Sequence, residues 1–461
     1  MSLSVAIVGG GITGLAAAWE LVQADPGTSV TVLEGSPVLG GRLRLARVAG
    51  TLVDVGAESV LFRRPEAVQL IEQLGLASRL THPAPVGASI LSGGVRWPMP
   101  KGTLMGIPAD PAGVAGLLSP AEVERARHEV ITGPTGGDIA IGQLVEDRLG
   151  PAVTDKLVEP LLAGVYAGHS RAISAEAAVP TLYAAGLAGE SLLAAARGAV
   201  AQAQAGVGDA RPVFATLVGG LGSLPGLIAE ALAAKGVDVR TGTMVRRLGG
   251  VPGAWALTSG PTTDEVSRTF DRVLIAAPAA PAARLLAPVA PQATAALSTI
   301  EYASMAIITF AFPGPVAPPF AGSSGFLVPP TEVLTIKAST FSSVKWPWLA
   351  EARPDVTFVR ASVGRHGEEA TLQKPDADLA RAALSDLASV LDEPLPTPVD
   401  VQVQRWGGGL PQYRVGHRQL VDGARAGLPP TLEVGGAAYD GVGIPACIGS
   451  GRAAARRLLA S

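Results

Sequence analysis

The chain has 461 residues, 48% hydrophobic and only 16% charged, where about 25% charged is usual; this supplies apolar material for about three domain-sized cores and excludes intrinsic disorder. Its 36 basic and 39 acidic residues give a net charge of −3, which excludes the electrostatic footprint of a nucleic-acid binder. The one cysteine, Cys447, excludes an internal disulfide and a multi-cysteine metal site and fits a reducing compartment.

The first residues pass at once into a strand and leave no room for a signal core. No apolar run reaches the roughly 20 residues that span a bilayer. The expectation is a cytoplasmic protein with at most peripheral membrane contact. Apolar Val5–Val8, a glycine turn, the small and apolar Leu15–Val22 and the β-branched Ser29–Leu33 predict strand, turn, helix, strand. An amphipathic helix follows over 65–80, then short strand-like runs over 83–108, then a mostly helical stretch over 111–205.

Gly219-Gly220-Leu221, a helix over Leu224–Lys235 and strands at Val237–Arg240 and Arg272–Ala276 return to the opening pattern. Strands at Met305–Phe310, Val333–Lys337 and Val356–Val363 predict a second sheet. A strand at Leu432–Gly436 and a helix at Ser450–Leu459 close the chain. The fold class expected is α/β. A discontinuous Rossmann-like nucleotide domain over 1–82, 209–290 and 404–461 holds a mixed-sheet substrate domain over 83–110 and 291–403 and a helical domain over 111–208.

Gly9, Gly11 and Gly14 form G-x-G-x-x-G between a strand and a helix, the context that gives the motif meaning. The first glycine permits the tight turn, the second lets the backbone approach a pyrophosphate, and the third lets helix and strand pack closely. The amides over Gly9, Gly10, Gly11, Ile12, Thr13 and Gly14 supply donors and a positive helix end. Glu34 closes the second strand where a carboxylate takes a ribose hydroxyl.

Gly40-Gly41-Arg42, shortly after that acid, resembles FAD proteins of the amine oxidase-like superfamily, with Gly41 and Arg42 near the flavin diphosphate. In Gly56-Ala57-Glu58-Ser59 the Gly-Ala pair would let backbone lie against an isoalloxazine ring.

These runs, with Glu159–Gly168, Pro411–His417 and Gly441–Cys447, resemble the FAD-dependent porphyrinogen oxidases of haem synthesis. The resemblance implies FAD as cofactor. It places Val245 at the adenine edge, Trp406 over the flavin region, and Val442, Gly443 and Ile444 at the ring's pyrimidine end, where a helix dipole favours negative charge. His169 and Ala446 stand where the family usually carries Asp.

Met99–Pro108 and Gly443–Cys447 look like the Gram-positive coproporphyrinogen III oxidases, so the substrate implied is coproporphyrinogen III. It is oxidised by six electrons to coproporphyrin III, with dioxygen as acceptor and hydrogen peroxide as product. The alternatives are protoporphyrinogen IX oxidation, a flavin amine oxidase or desaturase, and a non-catalytic flavoprotein. Four propionates call for cations, for which Arg63, Arg171 and Lys337 are candidates; Gly325 and Leu327 match a substrate-clamping loop. No side chain stands out as a general base, His417 reads as structural, and ferrochelatase or another haem-pathway enzyme is the candidate protein partner.

Overall fold

A computed structural model describes residues 2–131, 133–205 and 212–461; the expected boundary between 208 and 209 lies outside them. Five parallel strands form one sheet in the order Asp238–Arg240, Ser29–Leu33, Ser4–Val8, Arg272–Ile275, Leu432–Val434. Its centre does not alternate in polarity: Val5, Ala6 and Ile7 are all sealed from solvent, as expected where helices cover both faces. The nucleotide sheet therefore draws its strands from the start, middle and end of the chain.

Helix Ile12–Ala24 leaves the central strand through the glycine turn. The last helix, Ile444–Ala460, crosses it so closely that a Cβ on Gly451 would lie 2.2 Å from the Thr13 carbonyl oxygen. This helix starts six residues before the Ser450 expected from sequence. Pro445 at its first turn lacks only an amide hydrogen the helix would leave unpaired anyway, so the proline opens the helix.

The second sheet has seven strands, in the order Asp400–Pro411, Tyr302–Pro313, Val356–Val363, Ile336–Thr340, Gly325–Leu327, Ser89–Ser92, Val95–Pro98. One face buries Ile308, Phe310, Phe312, Phe326 and Val359 with Leu379 and Leu387 of helix Asp376–Leu391. Alternation along each strand turns Ile307, Leu327, Ala338, Thr340 and Ser362 to the other face, and all five keep partial exposure.

The strand expected over Val333–Lys337 begins instead at Ile336. Val333 is 99% exposed, because residues 329–334 close on themselves through the Glu332 amide to the Pro329 carbonyl and the Leu334 amide to the Glu332 carbonyl.

Helices Ile141–Leu149, Glu159–Tyr166, Pro180–Ala188 and Leu192–Ala205 pack Leu144, Leu162, Leu182 and Leu192 into one core, which Ile90 of the second sheet and Tyr413 join. Helix Glu159–Tyr166 lies against the half-buried face of the second sheet, where a Cβ on Gly164 would sit 3.9 Å from Leu327 Cδ2. No helix among the described residues is long and apolar enough to cross a membrane.

Candidate functional site

Gly9 adopts φ +116°, and a Cβ there would lie 2.5 Å from the Ala276 carbonyl oxygen; on Gly14 it would lie 2.0 Å from the Gly9 carbonyl oxygen. Both contacts demand glycine. Around Gly11, by contrast, nothing lies within 4 Å of the Cβ position, so the turn opens onto free space in front of the helix. Ile12 and Thr13 are buried behind it.

Glu34 accepts from the Gly10 amide at 2.7 Å and the Ser36 amide at 2.8 Å, which fixes its carboxylate beside the turn. A carboxylate offers about four lone-pair sites, leaving capacity for a ribose hydroxyl. The Thr243 amide reaches the Glu34 carbonyl oxygen at 2.7 Å; it brings Val245 into the core beside Val8 and Leu33 and Met244 against Gly35. Met244, missed in the sequence, is 52% exposed on this rim. The Gly40 amide donates to the Gly10 carbonyl at 2.9 Å, laying Gly40–Gly41 along the same opening.

Arg42 turns its guanidinium to the consecutive carbonyls of Gly407, Gly408 and Gly409, with its Cζ 5.3 Å from the centre of the Trp406 ring. Those three glycines bulge between the Ala303–Leu410 and Met305–Trp406 pairs. The Trp406 indole donates to the Val55 carbonyl at 3.0 Å, and its ring edge lies 3.1 Å from where a Cβ on Gly56 would sit. Gly56 is buried, while Ala57 and Ser59 keep partial exposure.

Glu58 lies in ion pairs with Lys345 at 2.7 Å and Arg360 at 2.5 Å. Burial alone would raise its pKa, but these two cations more than offset it and hold the carboxyl down at about 2. Asp54 behaves oppositely. Burial pushes it up to about 6 although the Gly222 and Leu221 amides donate to it.

Val442 and Ile444 are half-buried and Gly443, capping the last helix, is exposed. Behind them Tyr413 accepts from the Gly441 amide at 2.8 Å and donates to the Ala437 carbonyl. Its ring stacks on His417 at 3.9 Å, and His417 Nε2 sits 2.9 Å from the Ala438 carbonyl oxygen. Burial pushes the Cys447 thiol up to about 11, so it stays protonated.

The substrate candidates do not converge. Arg63 is exposed in the turn before helix Pro65–Gln73. Arg171 is paired with Glu146 at 2.6 Å and Asp155 at 2.7 Å, so two carboxylates already neutralise it. It borders a cavity of about 330 Å³ with Asp155, Glu159, His169, Pro330 and Thr331. His169 spans Glu159, 3.3 Å from Nδ1, and the His366 carbonyl oxygen, 3.2 Å from Nε2. Lys337 is 7% exposed; burial and then the nearby Arg365 pull its pKa from 10.5 down to about 7, against the pull of Glu368. Gly325, at φ +132°, brings its backbone against Ser339, and Leu327 faces Gly164.

These residues fit a dinucleotide carrying a flat ring. The glycine turn is unobstructed at Gly11, Glu34 is fixed beside it, and the cap of the last helix at Gly443 is exposed. Among the described residues no cluster of His, Cys, Asp or Glu is placed to hold a metal.

A Mycobacterium leprae protein named coproporphyrinogen III oxidase is 38% identical over 98% of this chain and 97% of its own length. A Bacillus subtilis protein of the same name is 33% identical over 98% and 96%. A solved structure from Exiguobacterium superposes with a TM-score of 0.85 at 32% identity, over 100% of both chains. The sequence profile of the flavin containing amine oxidoreductases matches residues 12–459, and the chain belongs to that family.

Proposed function

We propose that the chain oxidises coproporphyrinogen III to coproporphyrin III in the cytoplasm, with FAD as cofactor and dioxygen as electron acceptor. The observation that carries this reading is the end-to-end match to relatives named for that reaction, at up to 38% identity. In the proposal the amides over Gly11–Gly14 hold the diphosphate, those of Gly9 and Gly10 being already taken by the Leu33 carbonyl and Glu34, while Glu34 holds the ribose and Val245 the adenine edge. The ring then lies between Gly56-Ala57 and Val442–Ile444, with Trp406 and Gly41-Arg42 behind the wall.

Bound there, the flavin supplies two-electron acceptor chemistry, so three rounds complete the six-electron oxidation and release hydrogen peroxide. The protein's own task is to orient the macrocycle and exclude water. Ile307, Leu327, Ala338 and Ser362 offer it an apolar to weakly polar wall, helix Glu159–Tyr166, which touches Leu327, one edge of that wall, and Lys337 a cation for a propionate. A carboxylate arriving at Lys337 restores the charge that burial removes.

Incubating the yellow protein with coproporphyrinogen III and, in parallel, protoporphyrinogen IX tests this by porphyrin fluorescence. Faster turnover of coproporphyrinogen is expected. Equal or faster turnover of protoporphyrinogen overturns the substrate assignment, and a flavin-loaded protein that turns over neither overturns the oxidase reading.

A further inference from the structure

We propose that Arg360 is a positioning residue which, with Glu58 and Lys345, fixes the Gly56–Ala57 peptide against the flavin ring and sets the electrostatic field beneath it. This rests on the FAD reading above.

Arg360 lies mid-strand in Val356–Val363 and is 8% exposed. Thr309 and Thr340 on the two neighbouring strands flank it in register, with the aromatic core on the opposite face. A guanidinium so placed is costly unless its donors are met; here Nε has no partner, and the two terminal nitrogens carry the bonds. Nη2 donates to the Gly56 carbonyl at 2.6 Å and Nη1 to Glu58 Oε2 at 2.5 Å. Glu58 Oε1 accepts from Lys345 Nζ at 2.7 Å. Both targets lie about 300 positions earlier in the chain, on the nucleotide-binding side.

The Gly56 carbonyl and the Ala57 amide belong to one peptide unit. Arg360 takes the carbonyl and the Arg42 carbonyl takes the amide at 3.0 Å, so both polar atoms of that unit are fixed and its plane cannot rotate. A Cβ on Gly56 would lie 2.0 Å from the Arg42 carbonyl oxygen, so nothing larger than glycine admits this arrangement. Two residues earlier, Asp54 is tied to the Leu221 and Gly222 amides, and the whole segment is anchored on three sides.

A buried ionic group of this kind can often be exchanged for packed apolar side chains without loss of stability. Stability alone does not account for two cations gathered around one carboxylate. Asp54, electrostatically coupled to Arg360 and Glu58, supplies a second carboxylate, so the cluster is balanced as a whole. It is the Arg360 guanidinium seated on the Gly56 carbonyl that puts positive charge beside the peptide meeting the ring, where it favours electron gain by the flavin.

The test compares R360M, R360K and E58Q as purified flavoproteins, reading the visible flavin spectrum, the FAD dissociation constant and the midpoint potential. R360M is expected to weaken FAD binding by about tenfold, the size of one hydrogen bond to a charged group, and to lower the midpoint potential. R360K restores the potential but not the spectrum, because lysine lacks the two-pronged fork. E58Q raises the potential, having removed the negative partner. A purely structural role would move R360M and E58Q in the same direction, and that result overturns the proposal.

If R360M does not fold, the triple variant R360M/E58L/K345M replaces it. A wild-type spectrum and potential in that variant overturn the proposal equally. A wild-type protein that stays colourless after incubation with FAD overturns the flavin reading itself, whereas a yellow wild type with unaffected variants overturns only the role of Arg360.

Discussion

The glycine turn and the half-buried face of the second sheet are made by different means. In the turn, backbone approaches backbone, and the requirement is visible in residue type: only glycine fits 2.0 Å from a carbonyl oxygen. On the sheet face the work is done by side chains whose partners lie far away in sequence, as Arg360 finds Glu58. Backbone-made sites thus announce themselves locally, while side-chain-made sites appear only once strand register is known.

The sharpest way to break this contrast is G14A. One methyl group against the Gly9 carbonyl should displace the helix from its strand, cost about 3 kcal/mol or more and abolish retained flavin; an absorbance ratio and a melting curve read both. Next comes K337M. The unfolded chain keeps the Lys337 proton up to about 10.5 and the folded chain only up to about 7, so the unfolded state binds more protons across that window. Wild-type stability should therefore rise from pH 7 to 10.5 by an amount on the order of 5 kcal/mol relative to K337M, measured by urea unfolding across that range.

G11A is gentler. At φ −72° and with open space around it, alanine fits the fold, so the melting temperature should hold while FAD affinity falls about tenfold through lost backbone approach. The smallest effect is expected from V333D, within about 0.5 kcal/mol. A larger loss would mean that Val333 belongs to the strand after all and would reverse the register on which the face assignment stands.

Much of the nucleotide unit was legible because its signals are short-range: hydrophobic runs, glycine spacing and an acid at a strand end. The α/β class and the interruption of the nucleotide sheet by other units followed from recurrence of that pattern. The twelve-residue strand Asp400–Pro411 went unnamed, because its three consecutive glycines break the alternation where they form a bulge capped by Arg42. Helix Asp376–Leu391 went unnamed between Pro-rich loops.

Glu58 shows the limit most plainly. Its neighbours Gly56 and Ala57 suggest a place at the ring, and its side chain instead answers Lys345 and Arg360. Tyr413 was visible as a motif letter, but its bond to the Gly441 amide depends on a contact across 28 positions. Arg171 carried the right charge, and only the fold brings Glu146 and Asp155 to it.

The crossing of the last helix over the first, fixed where Gly451 meets Thr13, also bears on how the protein matures in time. Polypeptide leaves the ribosome at about 5–20 residues per second, so the opening strand and its turn exist for many seconds before their covering helix has been made. A nascent chain stalled before residue 444 is therefore expected to leave the first helix uncovered on this side and to retain no flavin, which the absorbance of the released truncated chain would read.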